Sequence, residues 1–289
     1  MSTIAFLGLG NMGGPMAKNL VNAGHTVHGY DLSAAAIAAA EANGVNVVAG
    51  GIEAVADADV VITMLPSGKA VLDCYAEILP GTKTGALLID SSTISVDDAR
   101  TINQQAAEHG FAQIDAPVSG GIKGADAGTL AFMVGGTDEA FLAAQGVLEP
   151  MAGKVIHCGD AGSGQAAKVC NNMVLAVQQI AIGEAFVLAE KLGLKAQALF
   201  DVITGATGNC WSVHTNCPVP GPVPTSPANN EFKPGFATAL MNKDLGLAMA
   251  AVESTGSTAP LGEHAATLYA DFAQENGGKD FSAIIETLR

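Results

Sequence analysis

Two residues in the segment 162–172 have types and spacing suited to proton transfer. Lys168 lies in a long apolar helical pattern that reaches about Leu194, and Asn172 follows it four residues later. That spacing places an ammonium and a carboxamide on one face of a helix. Because desolvation disfavours the charged form, a lysine on an apolar face gives up its proton more readily than one in water. The pair is a candidate for general acid–base catalysis, whereas a lone lysine of this kind more often extends its head into solvent.

A glycine-rich segment near the N-terminus has the form of a dinucleotide fingerprint. The letters GLGNMG follow the apolar run Ile4–Leu7 and open a helical pattern. Glycines in this context allow a tight turn and close approach of the backbone to a pyrophosphate, and the helix N-terminus offers free N–H groups. A purely structural turn is the alternative. The residues expected to contact the cofactor are Gly8, Gly10, Asn11, Met12 and Gly13.

An acidic residue follows the next strand pattern. Asp31 directly follows the run Thr26–Tyr30 and lies 18 residues after Gly13. A carboxylate at this point accepts hydrogen bonds from a ribose 2′-hydroxyl and repels a 2′-phosphate. Residues 31–40 contain no lysine or arginine to pair with such a phosphate. The sequence therefore predicts NAD in preference to NADP.

Two further strand patterns end in residues that can meet a ligand. They are the segments Met64–Pro66 and Asp90–Thr93. The carboxyl ends of parallel strands lie where ligands bind in open α/β sheets. Serine and threonine serve equally well as helix caps, so position alone leaves both roles open.

The segment Asp115–Gly121, with the letters DAPVSGG, offers an anion site. The hydroxyl of Ser119 and the N–H groups of Gly120 and Gly121 suit a carboxylate, although a plain glycine-rich turn explains them as well. The chain has only two arginines, Arg100 and Arg289. A bound anion must therefore be held by lysine, hydroxyl and backbone N–H groups.

A third cluster begins at Lys243. This lysine either faces the same site or pairs structurally with the adjacent Asp244. The six histidines show no metal-ligand spacing and no triad, and we assign them to the surface or to packing. No metal site is expected.

Composition excludes several classes of function. A net charge of −15 argues against nucleic-acid and anionic-membrane partners. The five cysteines are scattered and form no C-x-x-C pair, which indicates neither zinc nor disulfides and favours a reducing cytoplasm. The long apolar helix is interrupted by polar residues and is interpreted as a domain helix, not a membrane span. No basic leader precedes the first strand pattern.

Strand and helix patterns alternate over the first 160 residues and then give way to helices alone. Ser33 and Ser95 are expected helix N-caps, and Gly24, Gly44 and Gly110 expected helix ends. Alternation at this spacing predicts a doubly wound parallel sheet of Rossmann type over residues 1–162. Residues 163–289 are predicted to form an all-helical domain that begins with the long helix.

Four motifs, in this order and spacing, resemble the β-hydroxyacid dehydrogenase family: GLGNMG, DAPVSGG, GxGxxxKxxxN and KDLGLA. They span nearly the whole chain. The stretch Cys210–Asn230 resembles the branch that oxidises 3-hydroxyisobutyrate to methylmalonate semialdehyde with NAD in valine breakdown. The resemblance implies a Rossmann domain, a helical domain, and dimers or tetramers built through the helical domain. Animal members carry a mitochondrial leader, so its absence here implies a bacterial cytoplasmic protein.

The resemblance also implies roles for individual residues. Lys168 would be the catalytic residue, and Asn172 would orient the substrate hydroxyl. The substrate carboxylate would be received by Ser119, Gly120 and Gly121. The residues that would contact or flank NAD are Leu65, Pro66, Thr93 and Lys243.

Two alternatives stay open at this point. Within the family, the chain could reduce a small semialdehyde such as tartronate or succinic semialdehyde. From another class, it could be a non-catalytic NAD-binding scaffold on the same fold. Lys168 and Asn172 argue against the scaffold, because it has no need of a base.

Overall fold

The computed structural model describes all 289 residues, which form two compact units, Met1–Lys168 and Val169–Arg289. All nine strands lie in the first unit, and the second is helical. The predicted change from alternating elements to helices alone is therefore confirmed. The longest helix, α8, begins at Ser163, inside the first unit, and ends at Lys191 in the second. The predicted domain division after residue 162 stays a prediction.

The strands are short, and several coincide with the apolar runs of the sequence. They are β1 (Thr3–Leu7), β2 (Thr26–Tyr30), β3 (Asn46–Val47), β4 (Val60–Thr63), β5 (Leu87–Asp90), β6 (Ala112–Asp115), β7 (Val118–Ser119), β8 (Leu130–Gly135) and β9 (Ala152–Gly159).

The helices of the first unit are α1 (Gly13–Asn22), α2 (Ala34–Ala42), α3 (Gly51–Val55), α4 (Gly68–Ile78), α5 (Val96–Glu108), α6 (Gly121–Ala127) and α7 (Asp138–Leu148). Those that follow are α8 (Ser163–Lys191), α9 (Ala196–Gly205), α10 (Trp211–His214), α11 (Thr238–Thr255) and α12 (Pro260–Asn276), and a 3-10 segment at Phe281–Leu288 closes the chain.

Six parallel strands form the doubly wound part of the sheet, in the order β3-β2-β1-β4-β5-β6. The order reverses at β1, which pairs with β2 on one side and with β4 on the other. In open α/β sheets this reversal opens a crevice at the carboxyl ends of the strands, where ligands bind. The glycine-rich segment follows β1 directly and thus lies at this point.

Three further strands extend the sheet beyond β6. Strand β8 runs antiparallel to β6 and β7 along one edge and parallel to β9 along the other. The chain turns back through α6 between β7 and β8, which reverses the strand direction. This edge holds Ser119, the last residue of β7.

The predicted helix caps are present. The hydroxyl of Ser95 accepts a hydrogen bond from Asp98 N at 3.0 Å, and that of Ser33 accepts one from Ala36 N at 3.4 Å. Each bond satisfies one of the N–H groups that a helix N-terminus leaves without a partner. Gly24, Gly44 and Gly110 follow helix ends with φ between +83° and +88°, a conformation that favours glycine.

The central strands β1, β4 and β5 are buried on both faces, as expected for parallel strands whose sequences are continuous apolar runs. Alternate residues of β1 point to opposite faces. Ile4 and Phe6 belong to one apolar cluster, and Ala5 and Leu7 belong to the other. The rigid sheet between the two clusters fixes the loops that follow its strands.

Helix α8 has 29 residues and is long and apolar enough to span a membrane by length and composition alone, with a mean hydropathy of 1.5 in its most apolar window. Half of that window is buried inside the protein. The core helix of a soluble protein has the same properties, so the prediction of no membrane partner stays a prediction.

Candidate active site

The glycine-rich loop depends on two glycines that no other residue can replace. Gly8 has φ +97°, and a Cβ at this position would overlap the carbonyl oxygen of Met64 at the end of β4. A Cβ at Gly13 would overlap the carbonyl oxygen of Gly8 and lie 2.9 Å from the Phe6 ring. These close backbone approaches hold the loop in the tight turn that the fingerprint requires.

The N-terminus of α1 offers hydrogen-bond donors to a ligand. Met12 occupies its N-cap, no side chain caps it, and no acidic residue lies in its first turn. A Cβ at Gly10 would meet no atom within 4 Å, so the loop is open on that side. A positive helix end without a side-chain cap and an open glycine together fit a pyrophosphate.

Asp31 joins the end of β2 to the glycine-rich loop. Its carboxylate accepts hydrogen bonds from Leu9 N at 2.6 Å and from Ser33 N at 2.7 Å, one on each oxygen. Since an ionised carboxylate has about four lone-pair sites, it retains capacity for a ribose hydroxyl. The side chain is half-buried at the position that the fingerprint assigns to the ribose.

A buried polar network supports the ends of β4 and β5. The amide of Leu65 donates to Ser92 Oγ at 2.8 Å, so the segment containing Leu65 and Pro66 is tied to the segment containing Thr93. Beneath them, Asp90 Oδ1 accepts from Thr63 Oγ1 at 2.7 Å. The structure thus brings these predicted cofactor residues to the same sheet edge as the glycine-rich loop.

The predicted anion loop follows β7. Gly120 and Gly121 have φ of +135° and +61°, and they open helix α6 without a side-chain cap. A Cβ at Gly120 would lie 3.1 Å from Leu130 Cδ2, which packs beneath the loop. Ser119, partly exposed, is fixed by its pairing with Ala131 in β8. Its carboxylate-binding role stays a prediction.

Lys168 is unusual among the cations of the chain. Of the 13 lysine and arginine residues it alone is buried, with 6% of its surface exposed. It lies in the second turn of α8, one turn before Asn172, which is 1% exposed. The predicted placement of both residues on one long helix is confirmed, and neither head group extends freely into solvent.

The second unit fixes the amide of Asn172. Its Nδ2 donates to Asp244 Oδ2 at 2.6 Å, and its Oδ1 accepts from Asn171 Nδ2 at 3.0 Å. Lys243 Nζ lies 3.9 Å from Asp244 Oδ1. Asp244 is 3% exposed, so this carboxylate holds the amide in one orientation in a buried setting.

Comparison with known proteins assigns the chain to a family. Residues 3–159 match the family model of the NAD binding domain of 6-phosphogluconate dehydrogenase, and residues 162–288 match that of the NAD-binding domain of NADP-dependent 3-hydroxyisobutyrate dehydrogenase. A probable 3-hydroxyisobutyrate dehydrogenase of Mycobacterium tuberculosis is 70% identical over all of this chain and 98% of its own length. The chain belongs to the 3-hydroxyisobutyrate dehydrogenase branch of the β-hydroxyacid dehydrogenases.

Two further relatives of the family bear on its substrates. A solved structure of Mycobacterium tuberculosis 3-hydroxyisobutyrate dehydrogenase with L-serine matches this chain with a TM-score of 0.97 and 70% sequence identity. The match covers 100% of this chain and 99% of the chain in that structure. A Pseudomonas aeruginosa NAD-dependent L-serine dehydrogenase is 41% identical over 98% of this chain and 97% of its own length.

Membership of the family confirms the predicted fold, the enzyme class and NAD as cofactor. The glycine-rich loop, the uncapped start of α1 and Asp31 are the residues that would hold NAD. The roles of individual side chains stay predictions. No group of three or more His, Cys, Asp or Glu side chains could hold a metal ion, and metal-free chemistry also stays a prediction.

Sequence reasoning gave Asp244 no role beyond a structural pairing with Lys243, and it indicated Asp90 only as the first residue of a segment that can meet a ligand, not as its buried support. Both are buried carboxylates that orient residues of the candidate site. The signal available for Asp90 was its place at the carboxyl end of a strand. Asp244 bonds a residue 72 positions away, so no local pattern indicated its partner.

Replacing Asp31 with alanine is expected to weaken the preference for NAD. The change removes an acceptor for the ribose hydroxyl, a hydrogen bond to a charged group worth about 1.5–3 kcal/mol, and removes repulsion of a 2′-phosphate. The ratio of kcat/KM for NAD to that for NADP should fall by roughly 10- to 100-fold. Asp57→Ala, which removes an equal charge from an exposed turn, is the control. An unchanged ratio in Asp31→Ala would rule out the ribose contact.

Asp90 is expected to make stability depend on pH. Burial raises the pKa of its carboxyl from 3.8 to about 6, although hydrogen bonds from Ser92 and Thr63 oppose the shift. The folded protein therefore binds this proton more tightly than the unfolded chain. The resulting stabilisation is fully present below the unfolded pKa and is lost as the pH rises through the folded pKa.

Asp90→Asn removes this dependence. The free energy of unfolding of the variant, relative to the parent, should rise by about 1–2 kcal/mol between pH 4.5 and 7.5, as measured by urea denaturation. Asp59→Asn is the control, because a hydrogen bond from Lys83 lowers the pKa of Asp59 below 3.8, so its difference from the parent should stay flat between pH 4.5 and 7.5. A difference between Asp90→Asn and the parent that is constant with pH would contradict the assignment.

Proposed function

We propose that this enzyme oxidises 3-hydroxyisobutyrate to methylmalonate semialdehyde with NAD, a step of valine breakdown. The observation that carries the proposal is the burial of Lys168, alone among the cations, one helical turn before an amide held by Asp244. The full-length identity of 70% to a probable 3-hydroxyisobutyrate dehydrogenase supports the choice of substrate.

Lys168 acts as the general base. Its amine removes the proton from the substrate hydroxyl oxygen during oxidation and returns it during reduction. NAD, when bound, supplies the acceptor for the hydride that leaves the carbinol carbon. A lysine buried among protein atoms is held near one position, so the proton moves between fixed partners.

Asn172 orients the hydroxyl group. Asp244 accepts one of the two N–H groups of Asn172 Nδ2, so the second remains a donor for the substrate. That N–H donates to the substrate hydroxyl oxygen, which leaves the hydroxyl proton directed toward Lys168.

The loop at Ser119, Gly120 and Gly121 receives the substrate carboxylate. Its hydroxyl and backbone N–H groups supply donors without a guanidinium, in a chain with two arginines. Leu65, Pro66, Thr93 and Lys243 contact or flank NAD. The tie between Leu65 N and Ser92 Oγ supports this part of the proposal, because it holds the two strand ends in register.

L-Serine is the second candidate substrate. One relative is named an L-serine dehydrogenase, and another has been solved with L-serine. L-Serine and 3-hydroxyisobutyrate share a carboxylate and a hydroxymethyl group on the adjacent carbon, and they differ in an ammonium against a methyl group. The groups proposed to bind the carboxylate and hydroxyl serve both molecules, so the discrimination must come from contacts to the third substituent.

We further propose that the enzyme is a cytoplasmic homodimer or homotetramer assembled through the second unit. That unit has eight of the fourteen exposed large apolar side chains of the chain, including Leu188, Leu192, Val202 and Leu261. Contiguous exposed apolar side chains are typical of interaction surfaces, and Leu188 and Leu192 lie one helical turn apart at the end of α8. Light scattering of the purified protein tests the assembly, and a monomer at all concentrations would exclude it.

The substrate is tested by NADH formation with purified enzyme and a panel of 3-hydroxyisobutyrate, L-serine, tartronate-type and 4-hydroxybutyrate substrates, repeated with NADP. We expect the highest kcat/KM for 3-hydroxyisobutyrate with NAD. If another acid leads, the choice of substrate is wrong while the family chemistry stands. If none reacts in either direction, the non-catalytic scaffold is the better account.

A further inference from the structure

The first turn of α8 is fastened to the sheet by a carboxylate from a distant strand. Asp115 ends β6 and is 1% exposed. Its Oδ1 accepts from Gly162 N at 2.7 Å and its Oδ2 accepts from Gln165 N at 2.8 Å. One carboxylate thus satisfies two of the N–H groups at the start of the helix and places negative charge at its positive end.

A second side chain fastens the same turn to the end of β5. Gln165 is fully buried. Its Nε2 donates to Ser92 O at 2.7 Å, and its Oε1 accepts from Ile94 N at 3.2 Å. The amide therefore bonds both sides of Thr93, one of the residues proposed to meet the cofactor.

Two glycines bring this turn into close backbone contact with the strand ends. A Cβ at Gly164 would overlap Met133 O and lie 2.7 Å from Asp115 O. A Cβ at Gly135, in β8, would lie 2.7 Å from Gly164 N. The helix start is packed against the strand ends at the closest approach that glycine permits.

Lys168 follows Gln165 by three residues and lies on the same side of α8. A small rotation or slide of the first turn would move the lysine amine relative to Thr93 and the glycine-rich loop. We propose that Asp115 and Gln165 are positioning residues that hold Lys168 in register with the cofactor-binding strand ends. This inference rests on the proposed role of Lys168 as the base.

The test uses Gln165→Met, which keeps the side-chain length and removes both hydrogen bonds. Displacement of a reacting group by about 1 Å costs roughly 100-fold in rate, so kcat should fall by about 10- to 100-fold. The dissociation constant for NAD, measured by protein fluorescence, should rise by a smaller factor than kcat falls, because the glycine-rich loop and Asp31 are untouched and only the segment around Thr93 loses bonds. The limb of the kcat–pH profile that reports the base should shift.

Gln113→Met is the matched control. Gln113 is also a buried glutamine of the first unit, but it bonds Asn103 and Ile114 O and makes none of the bonds to α8 described above. It should lower the melting temperature as Gln165→Met does while keeping kcat and its pH profile. Should Gln165→Met fail to fold, Asp115→Asn, which keeps an acceptor for one of the two N–H groups, is measured in the same way.

The results distinguish the positioning role of Asp115 and Gln165 from the proposed role of Lys168 as the base. A lowered kcat with a shifted pH profile supports positioning. An unchanged kcat overturns it. A lowered kcat with an unshifted pH profile also overturns it, because a purely structural defect lowers kcat by the same factor at every pH. Near-normal turnover of Lys168→Ala would instead refute the proposed base.

Discussion

Replacing Lys168 with alanine is expected to lower kcat by at least about 100- to 10,000-fold, the contribution of general acid–base catalysis. The change removes the one buried cation of the chain, and no histidine is among the buried residues that could replace it. NAD affinity should be retained, since the residues proposed to bind the pyrophosphate and ribose belong to β1, β2, α1 and the loops that follow the two strands. The loss should therefore fall on turnover and not on cofactor binding.

Two further variants show whether the loss of turnover comes from the missing base or from the missing charge. Lys168→Arg keeps a cation that cannot be deprotonated, so it should be nearly as impaired as alanine if the lysine works as a base. Lys191→Ala, at the exposed end of the same helix, should keep normal turnover. Substantial activity in Lys168→Arg would indicate that the charge matters and proton transfer does not.

Replacing Gly10 with alanine is expected to raise the dissociation constant for NAD by at least about tenfold while leaving the protein without cofactor as stable as the parent. A Cβ at Gly10 meets no protein atom within 4 Å, so it costs the fold nothing. It would occupy the space through which the backbone approaches a pyrophosphate. Titration with NAD and thermal denaturation without it measure the two effects.

Gly13→Ala is the complement within the same loop. Its Cβ would overlap Gly8 O, so this variant should lose about 1–3 kcal/mol of unfolding free energy even without cofactor, the usual cost of overpacking. If Gly10→Ala bound NAD as tightly as the parent, the loop would be a structural turn and the assignment of the pyrophosphate site would be wrong.

The elements that can be predicted from the sequence are those whose signals are local. The apolar runs at β1 and β2, the serine caps and the glycines after helices depend on neighbouring residues. The glycine-rich loop and Asp31 are linked by a fixed spacing that the parallel sheet imposes. These local signals suffice to predict most of the parallel strands of the first unit and the carboxyl ends at which the cofactor is expected to bind.

The contacts that hold the candidate site together are long-range, and no pattern in the sequence indicates them. Asp115 bonds residues 47 and 50 positions away, and Gln165 bonds residues 71 and 73 positions away. Strands β7 and β9, which pair with β8, are not predicted from the sequence for another reason. β7 has only two residues, and no residue of β9 is fully buried, so neither shows the apolar run of a buried strand.

The central claim is that the enzyme moves a hydride from the hydroxymethyl carbon of 3-hydroxyisobutyrate to NAD. The direct measurement uses 3-hydroxyisobutyrate with both hydrogens of that carbon replaced by deuterium, and mass spectrometry of the nucleotide that forms. We predict NADH that carries one deuterium, at a rate that is lowered by the isotope and is at least about 100-fold lower in Lys168→Ala. NADH without deuterium, or no NADH, would contradict the proposed reaction.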